Sequence, residues 1–101
     1  MTLKAAFIFL AGGANSATAR AVVSTPGVDL TVVGAKDYAD AEGVARDLVA
    51  DGIVAIELCG GFGTAGTARI AQAVAGKAAV GVVRFDIHPG LDGKSGDSLF
   101  G

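Results

Sequence analysis

The chain has 101 residues and a formal net charge of −2, and 51% of its residues are hydrophobic. This length allows one domain, residues 1–101, with a compact core, and the interspersed charges exclude a dedicated nucleic-acid binder. A single Cys excludes a disulfide-stapled scaffold and makes the cytoplasm the expected compartment, and no apolar run approaches the ~18 residues that span a membrane.

The first apolar segment has two interpretations. Lys4, the apolar run after it and Ala17-Thr18-Ala19 follow the order of a secretory signal. Against this interpretation, the Gly12-Gly13 pair interrupts the run early, and the segment also fits the first strand of a repeating β-α pattern. We therefore expect a strand at Leu3 to Leu10.

Four short apolar runs predict strands that are buried on both faces. The runs are Leu3 to Leu10, Val28 to Val33, Ile53 to Leu58 and Ala79 to Phe85. Helical stretches separate them, and consecutive parallel strands require such crossovers. The order predicts an α/β fold with a small open parallel four-stranded sheet in a three-layer α/β/α sandwich, with the flavodoxin-like strand order 2-1-3-4.

Three helices are predicted between the strands, about Ser16 to Ser24, Asp37 to Ala50, and about Thr64 or Thr67 to Ala75. The first has few large apolar residues. In the second, Asp37 is a capping residue. The residues expected on its buried face are Tyr38, Ala41, Ala45 and Leu48. The third is expected to bury Ile70, Ala71 and Val74.

The last segment, residues 90–101, is expected to be a loop-like tail. It contains Gly, Asp, Ser and Lys and then the apolar pair Leu99-Phe100. An apolar tip of this kind is either anchored, with a partner subunit as one candidate for the anchor, or disordered.

A Gly-rich segment follows the third predicted strand and leads into the third helix. Glycines let the backbone approach a ligand, and the first amides of a helix point free N–H groups at an anion. Binding of a phosphate or carboxylate is therefore one interpretation, and tight packing of a βα turn is the other. The residues predicted to bind the ligand here are Gly60, Gly61, Phe62, Gly63 and Thr64.

Two reactive side chains lie in the same strand. Glu57 interrupts an apolar run, so we expect it to be a general base, a ligand anchor or the structural partner of Arg84. Cys59 ends the strand just before a helix, where it is either a nucleophile or a small inert core residue.

The segment after the fourth strand carries a cation, a carboxylate and the single imidazole at alternating positions. Arg84, Asp86 and His88 would point to one side while the segment stays extended. Asp86 would then orient His88 for proton transfer, and Arg84 would bind an anionic group. Together with Glu57 the set is also a weak candidate for a metal site, and the alternative is a simple turn with Asp86 as a cap.

Two motifs, residues 57–63 (ELCGGFG) and 82–90 (VVRFDIHPG), with Lys94-Ser95-Gly96-Asp97 near the end, carry a resemblance to known proteins. Over nearly its whole length the chain resembles a family of short bacterial proteins of unknown function. The resemblance implies a stand-alone protein of about this size. It implies no activity, substrate, cofactor or catalytic residue.

The expected function is binding of a small anionic metabolite at the carboxyl ends of the strands. If the protein is an enzyme, we expect acid/base chemistry by His88 with Glu57 or Asp86. The alternatives are a non-catalytic oligomeric interaction protein and a thiol-dependent enzyme that uses Cys59. Charged residues make up 18% of the chain, below the roughly 25% typical of soluble domains, so we expect a homodimer or higher cyclic oligomer.

Overall fold

In the computed structural model, which describes residues 2–101, the chain forms one five-stranded mixed sheet and two helices. The strands are β1 (Leu3–Leu10), β2 (Arg20–Ser24), β3 (Val28–Ala35), β4 (Ala55–Leu58) and β5 (Ala79–Val82). The helices are α1 (Tyr38–Ala50) and α2 (Thr64–Val74), and short 3-10 turns follow at Pro89–Leu91 and Gly96–Ser98. The sheet order is β2-β3-β1-β4-β5.

The α/β class is confirmed, but the four-stranded parallel sheet is not matched in full. All four predicted strands form, and β3, β1, β4 and β5 are parallel in the predicted relative order 2-1-3-4. The fifth strand, β2, pairs antiparallel with β3 at the edge of the sheet. The sheet is therefore mixed.

The predicted first helix is wrong. Residues 20–24 form β2, because Val22 and Val23 are β-branched and a tight turn returns the chain to β3. In that turn the Thr25 amide donates to the Val28 carbonyl at 2.8 Å. Residues 2–101 contain the two helices α1 and α2, which contact each other around one core and cover one face of the sheet. The fold has two layers rather than three.

The helices otherwise agree closely with the sequence pattern. The Asp37 carboxylate accepts a hydrogen bond from the Asp40 amide at 2.8 Å and caps α1. The predicted buried face of α1 is buried, and Val44 joins it. In α2, Ile70 and Val74 are buried, but Ala71 is exposed because it lies about 100° around the helix from Ile70.

The two faces of the sheet differ in what covers them. Side chains alternate along each strand, so Ala6, Ile8, Ile56 and Leu58 point toward the helices and are buried. Their neighbours point the other way, toward a surface that no element among residues 2–101 covers. We call this surface the open sheet face and define it by Leu3, Phe7, Phe9, Val23, Leu30 and Val32, with Glu57 of β4 beside them. The prediction of strands buried on both faces is therefore wrong for this face.

The C-terminal tail is anchored on its own chain. Phe100 packs against Tyr38 with ring centroids 6.2 Å apart, and the Phe100 carbonyl accepts from the Tyr38 amide at 3.3 Å. Gly96 is buried against the carbonyl of Gly61, while Leu99 is half exposed. Within residues 2–101, no helix is long and apolar enough to cross a membrane.

Candidate functional site

The four parallel strands end at one edge of the sheet, which we call the carboxyl rim. It consists of the segments that follow the strands, residues 11–15, 36–37, 59–63 and 83–88. At this edge the Ala11 amide donates to the Ala35 carbonyl at 2.9 Å. Sγ of Cys59 accepts from the Leu10 amide at 3.4 Å. Cys59 and His88, the only Cys and the only His of the chain, follow the neighbouring parallel strands β4 and β5.

The Gly-rich turn of the rim is filled by side chains of this chain. The Phe62 amide donates to the Cys59 carbonyl at 3.0 Å and closes the turn before α2 begins. A Cβ on Gly60 would collide with the ring of Phe85, and one on Gly63 would collide with the carboxylate of Asp97. These glycines permit close packing within the chain, which supports the packing interpretation of the segment.

The free amides of α2 are bound by a carboxylate from the tail. Oδ2 of Asp97 accepts from the Ala65 amide at 3.1 Å, and Oδ1 accepts from the Gly66 amide at 3.2 Å. Burial alone would raise the pKa of Asp97, but hydrogen bonds from the Ala65 amide, the Tyr38 hydroxyl and the Gly66 amide hold that pKa below its usual value. The helix N-terminus does bind an anion, and that anion is part of the chain.

Tyr38 links the tail to the Gly-rich turn. Its hydroxyl donates to Oδ1 of Asp97 at 2.8 Å and accepts from the Gly63 amide at 2.9 Å. Its ring stacks on Phe62, with centroids 5.5 Å apart and planes 10° from parallel. Burial, with the neighbouring Asp97, raises the pKa of Tyr38 to about 12 although the Gly63 amide opposes the shift. The hydroxyl therefore stays protonated and keeps its role as a donor.

A cleft of about 330 Å³ opens beside this closed turn, between α2 and the end of β5. Its lining is mainly apolar, and its polar side chains are two hydroxyls and one guanidinium. The Thr67 hydroxyl donates to the Gly63 carbonyl at 2.9 Å, so its oxygen can still accept a hydrogen bond. The lining residues are Phe62, Gly63, Thr64, Thr67, Ala68, Val82 and Arg84.

Arg84 forms an exposed ion pair with Asp86 rather than with Glu57. Nε of Arg84 donates to Oδ1 of Asp86 at 2.9 Å, and about two thirds or more of each side chain is exposed. The pairing agrees with the predicted placement of both residues on one side of the segment. It leaves Asp86 engaged with Arg84 and not with His88.

His88 is held by its own turn. Nδ1 accepts from the Gly90 amide at 2.9 Å, and the ring packs on Phe85 with centroids 4.7 Å apart. An Nδ1 that accepts a hydrogen bond leaves the ring proton on Nε2. The predicted Asp86 to His88 contact is absent from the hydrogen bonds of residues 2–101. The alternative turn is observed, but its cap is His88 and not Asp86.

Glu57 and Cys59 lie apart from the cleft. Glu57 is exposed on the open sheet face, between Phe7 and Gly81, so the expected buried carboxylate is wrong because no layer covers that face. Cys59 is partly buried, and its Sγ accepts from the Gly61 amide at 3.2 Å as well as from Leu10. The sheet separates Glu57 from the cleft.

Residues 3–98 of the chain match the model of a family of unknown function, DUF6506. The chain belongs to DUF6506. Comparison with curated proteins and with solved structures found no match. Membership of DUF6506 confirms that the chain belongs to a family of unknown function. It assigns no activity to any of the residues described above.

The rim of this DUF6506 chain has a second, polar hollow of about 340 Å³, lined by Asn15, Ser16, Lys36 and Asp40 among others. Asp40 is engaged there, because its carboxylate accepts from the Lys36 amide at 3.0 Å and from the Ser16 hydroxyl at 3.5 Å. Across residues 2–101, no three His, Cys, Asp or Glu side chains are grouped closely enough to hold a metal ion. The predicted residues therefore do not assemble as a metal site.

The sequence did not predict two residues of this region, Tyr38 as a polar residue and Asp97. Tyr38 was expected only as an apolar part of the α1 face. Asp97 follows Ser95, whose hydroxyl accepts from the Asp97 amide at 3.3 Å, and this local pattern of a serine before an acidic residue is a cap signal. It marks a turn but does not indicate which helix the Asp97 carboxylate reaches.

Proposed function

We propose that the cleft between α2 and β5 binds a small molecule with an apolar body and one carboxylate or phosphate group. The observation that carries this proposal is the composition of the cleft. Ala68 and Val82 offer exposed apolar surface, while Thr64 and Arg84 supply polar groups. Sites for small ligands typically combine apolar walls with a few polar groups that fix orientation.

Arg84 is the residue that favours an anionic ligand. Its guanidinium offers several donors in a plane that matches a carboxylate or phosphate. Its present partner, Asp86, is exposed, and exposed ion pairs contribute only about 0–1 kcal/mol. A ligand that brings apolar surface as well as charge can therefore replace or share this partner at little cost.

The amides of α2 contribute less to the proposed anion binding than the sequence predicts. Asp97 already accepts from Ala65 and Gly66, so an incoming anion meets Arg84 and the Thr64 hydroxyl first. Glu57 lies on the other face of the sheet, and Asp86 is paired with Arg84. The proposal is accordingly one of binding, without acid/base chemistry.

The test is a thermal-shift comparison of matched ligands. Inorganic phosphate, benzoate and 3-methylbutanoate are compared with benzamide, a neutral analogue of benzoate. A ligand at 100 times its Kd adds about 2.7 kcal/mol to the free energy of unfolding, which is readily visible as a rise in Tm. We expect a rise with at least one anion and none with the neutral analogue.

Two arginine variants locate the site. Arg84→Gln should weaken binding of the active anion at least about tenfold, or ~1.4 kcal/mol. Arg46→Gln removes an exposed arginine of α1 that does not line this cleft, and should leave binding unchanged. The proposal fails if no anion shifts the Tm of the wild-type protein, or if the two variants bind equally well.

A further inference from the structure

The wall between the cleft and the C-terminal tail carries a fixed negative charge. Gly63 lines the cleft, and a Cβ on this glycine would collide with the carboxylate of Asp97, so the carboxylate lies directly behind that wall. The same carboxylate accepts from the amide of Ala65, the residue after Thr64, at 3.1 Å. Thr64 itself lines the cleft. Asp97 is therefore a neighbour of any ligand that binds the Thr64 hydroxyl.

The charge of Asp97 is not neutralised by a cation. Within residues 2–101 no salt bridge includes this carboxylate. Its hydrogen-bond partners are neutral groups, the Tyr38 hydroxyl and the amides of Ala65 and Gly66. Burial alone would raise the pKa of Asp97, but these donors hold that pKa below its usual value. The carboxylate is therefore charged at neutral pH.

The cleft has cationic charge for one anionic group and no more. Among residues 2–101, Arg84 is the one cation that lines it, and Nε of Arg84 already donates to Asp86 at 2.9 Å. The terminal nitrogens of the guanidinium remain as donors.

A second charge on the ligand would find no cation. An anion on Thr64 lies one residue from the Asp97 contact, and successive Cα atoms are ~3.8 Å apart, so the two anions disfavour each other. Arg84 can balance a single ligand charge. A further charge would meet the carboxylates of Asp86 and Asp97, and nothing would compensate its loss of water.

We propose that the Asp97 carboxylate makes this cleft selective for singly charged ligands, so that its ligands are apolar monocarboxylates and not phosphate monoesters. This selectivity rests on the proposed function, because it concerns the same cleft and chooses between its two candidate anions. A carboxylate also matches the donors, since its two oxygens fit two parallel N–H groups of the Arg84 guanidinium. Asp97 acts here through its charge and needs no contact with the ligand.

Matched pairs of ligands test the charge preference of the wild-type protein. Isothermal titration calorimetry compares benzoate with phenyl phosphate, and 3-methylbutanoate with 3-methylbutyl phosphate. At about pH 8 the esters carry close to two charges, because the second pKa of a phosphate monoester is ~6. Each carboxylate that binds should bind at least about fivefold more tightly than its matched ester.

Asp97→Asn removes the charge and keeps the shape of the side chain. It should tighten binding of each ester at least about fivefold more than binding of the matched carboxylate, because a doubly charged ligand gains twice from the loss of a like charge. Asp92→Asn removes an exposed carboxylate of the same tail that does not line the cleft, and should leave this ratio unchanged.

Far-ultraviolet circular dichroism shows whether each variant is folded. If Asp97→Asn does not fold, methyl phenyl phosphate repeats the test on the wild-type protein. This diester keeps the phosphorus centre but has a single charge, so it should bind more tightly than phenyl phosphate.

The possible failures are distinguishable. If neither carboxylate nor either ester binds, the proposed function is wrong and the selectivity with it. If an ester binds as tightly as its carboxylate, or if Asp97→Asn leaves the ratio unchanged, the cleft still binds anions but the role of Asp97 is overturned.

Discussion

The two faces of the sheet are made of similar side chains but have different surroundings. Ile8 and Leu58 face the helices and are fully buried, whereas Leu3 is 45% exposed on the open sheet face. Apolar residue type alone therefore does not tell which face has a helix over it. Whether a helix covers a face depends on how the chain connects the strands. In this chain the connections differ, because two of them contain a helix and one does not.

The connection between β1 and β3 accounts for the difference. A helix there would cross back over the sheet and cover the second face, as in a three-layer fold. The chain instead makes the edge strand β2, which lies in the sheet and covers neither face. The crossovers through α1 and α2 run in the same direction along the sheet, from β3 to β4 and from β4 to β5, so right-handed connections place both helices on the same side.

The largest contrast between the faces is expected from truncation of β1. Ile8→Ala removes a fully buried side chain and should lower the free energy of unfolding by ~2–5 kcal/mol, because the packed core relaxes only partly into the cavity. Leu3→Ala on the open sheet face should cost less than ~1 kcal/mol. Urea unfolding of dilute protein measures both. Equal losses would mean that the open sheet face is as well packed as the core.

The fold was predictable where local patterns act alone. Asp37 caps α1, and the buried face from Tyr38 to Leu48 has the expected helical period. The four parallel strands were recognisable as continuous apolar runs. Residues 16–24 were not, because this stretch has few large apolar residues, and Val22 and Val23 favour a strand only once β3 offers an edge to pair with.

At the carboxyl rim, the Asp97 carboxylate binds amides at the start of α2, a helix of the covered face. Asp97→Asn removes the negative charge of the carboxylate that accepts from the Ala65 and Gly66 amides. It should lower the free energy of unfolding by ~1–2 kcal/mol at neutral pH. Asp92→Asn, an exposed carboxylate of the same tail, should have little effect.

The effect of Asp97 should depend on pH in one direction. The folded-state pKa of Asp97 is lowered, so its carboxylate contributes stability above the unfolded value of ~3.9, and this contribution is lost as the pH falls through the folded pKa. The difference between wild type and Asp97→Asn in urea unfolding should therefore be full at neutral pH and shrink below pH ~4. A difference that persists unchanged in acid would mean that shape, not charge, is what Asp97 contributes.

Of the candidate site, only the hydrogen-bond donors were predictable from the sequence. A helix N-terminus after a Gly-rich turn indicates amides that bind an anion, and the amides of Ala65 and Gly66 do so. The carboxylate that these amides bind is more than thirty residues away in the chain. The local sequence of the tail does not predict that contact. The alternating pattern placed Arg84 and Asp86 on one side, so their ion pair was predictable. The exposure of Glu57 was not, because it results from the absence of a third layer.

The smallest expected effect comes from Glu57, and it sharpens the comparison of the faces most directly. In a single copy the carboxylate is exposed, so Glu57→Gln should change the free energy of unfolding by less than ~0.5 kcal/mol. Urea unfolding of the two proteins measures this difference. A clearly larger change would mean that the Glu57 carboxylate is not surrounded by water as its exposure indicates.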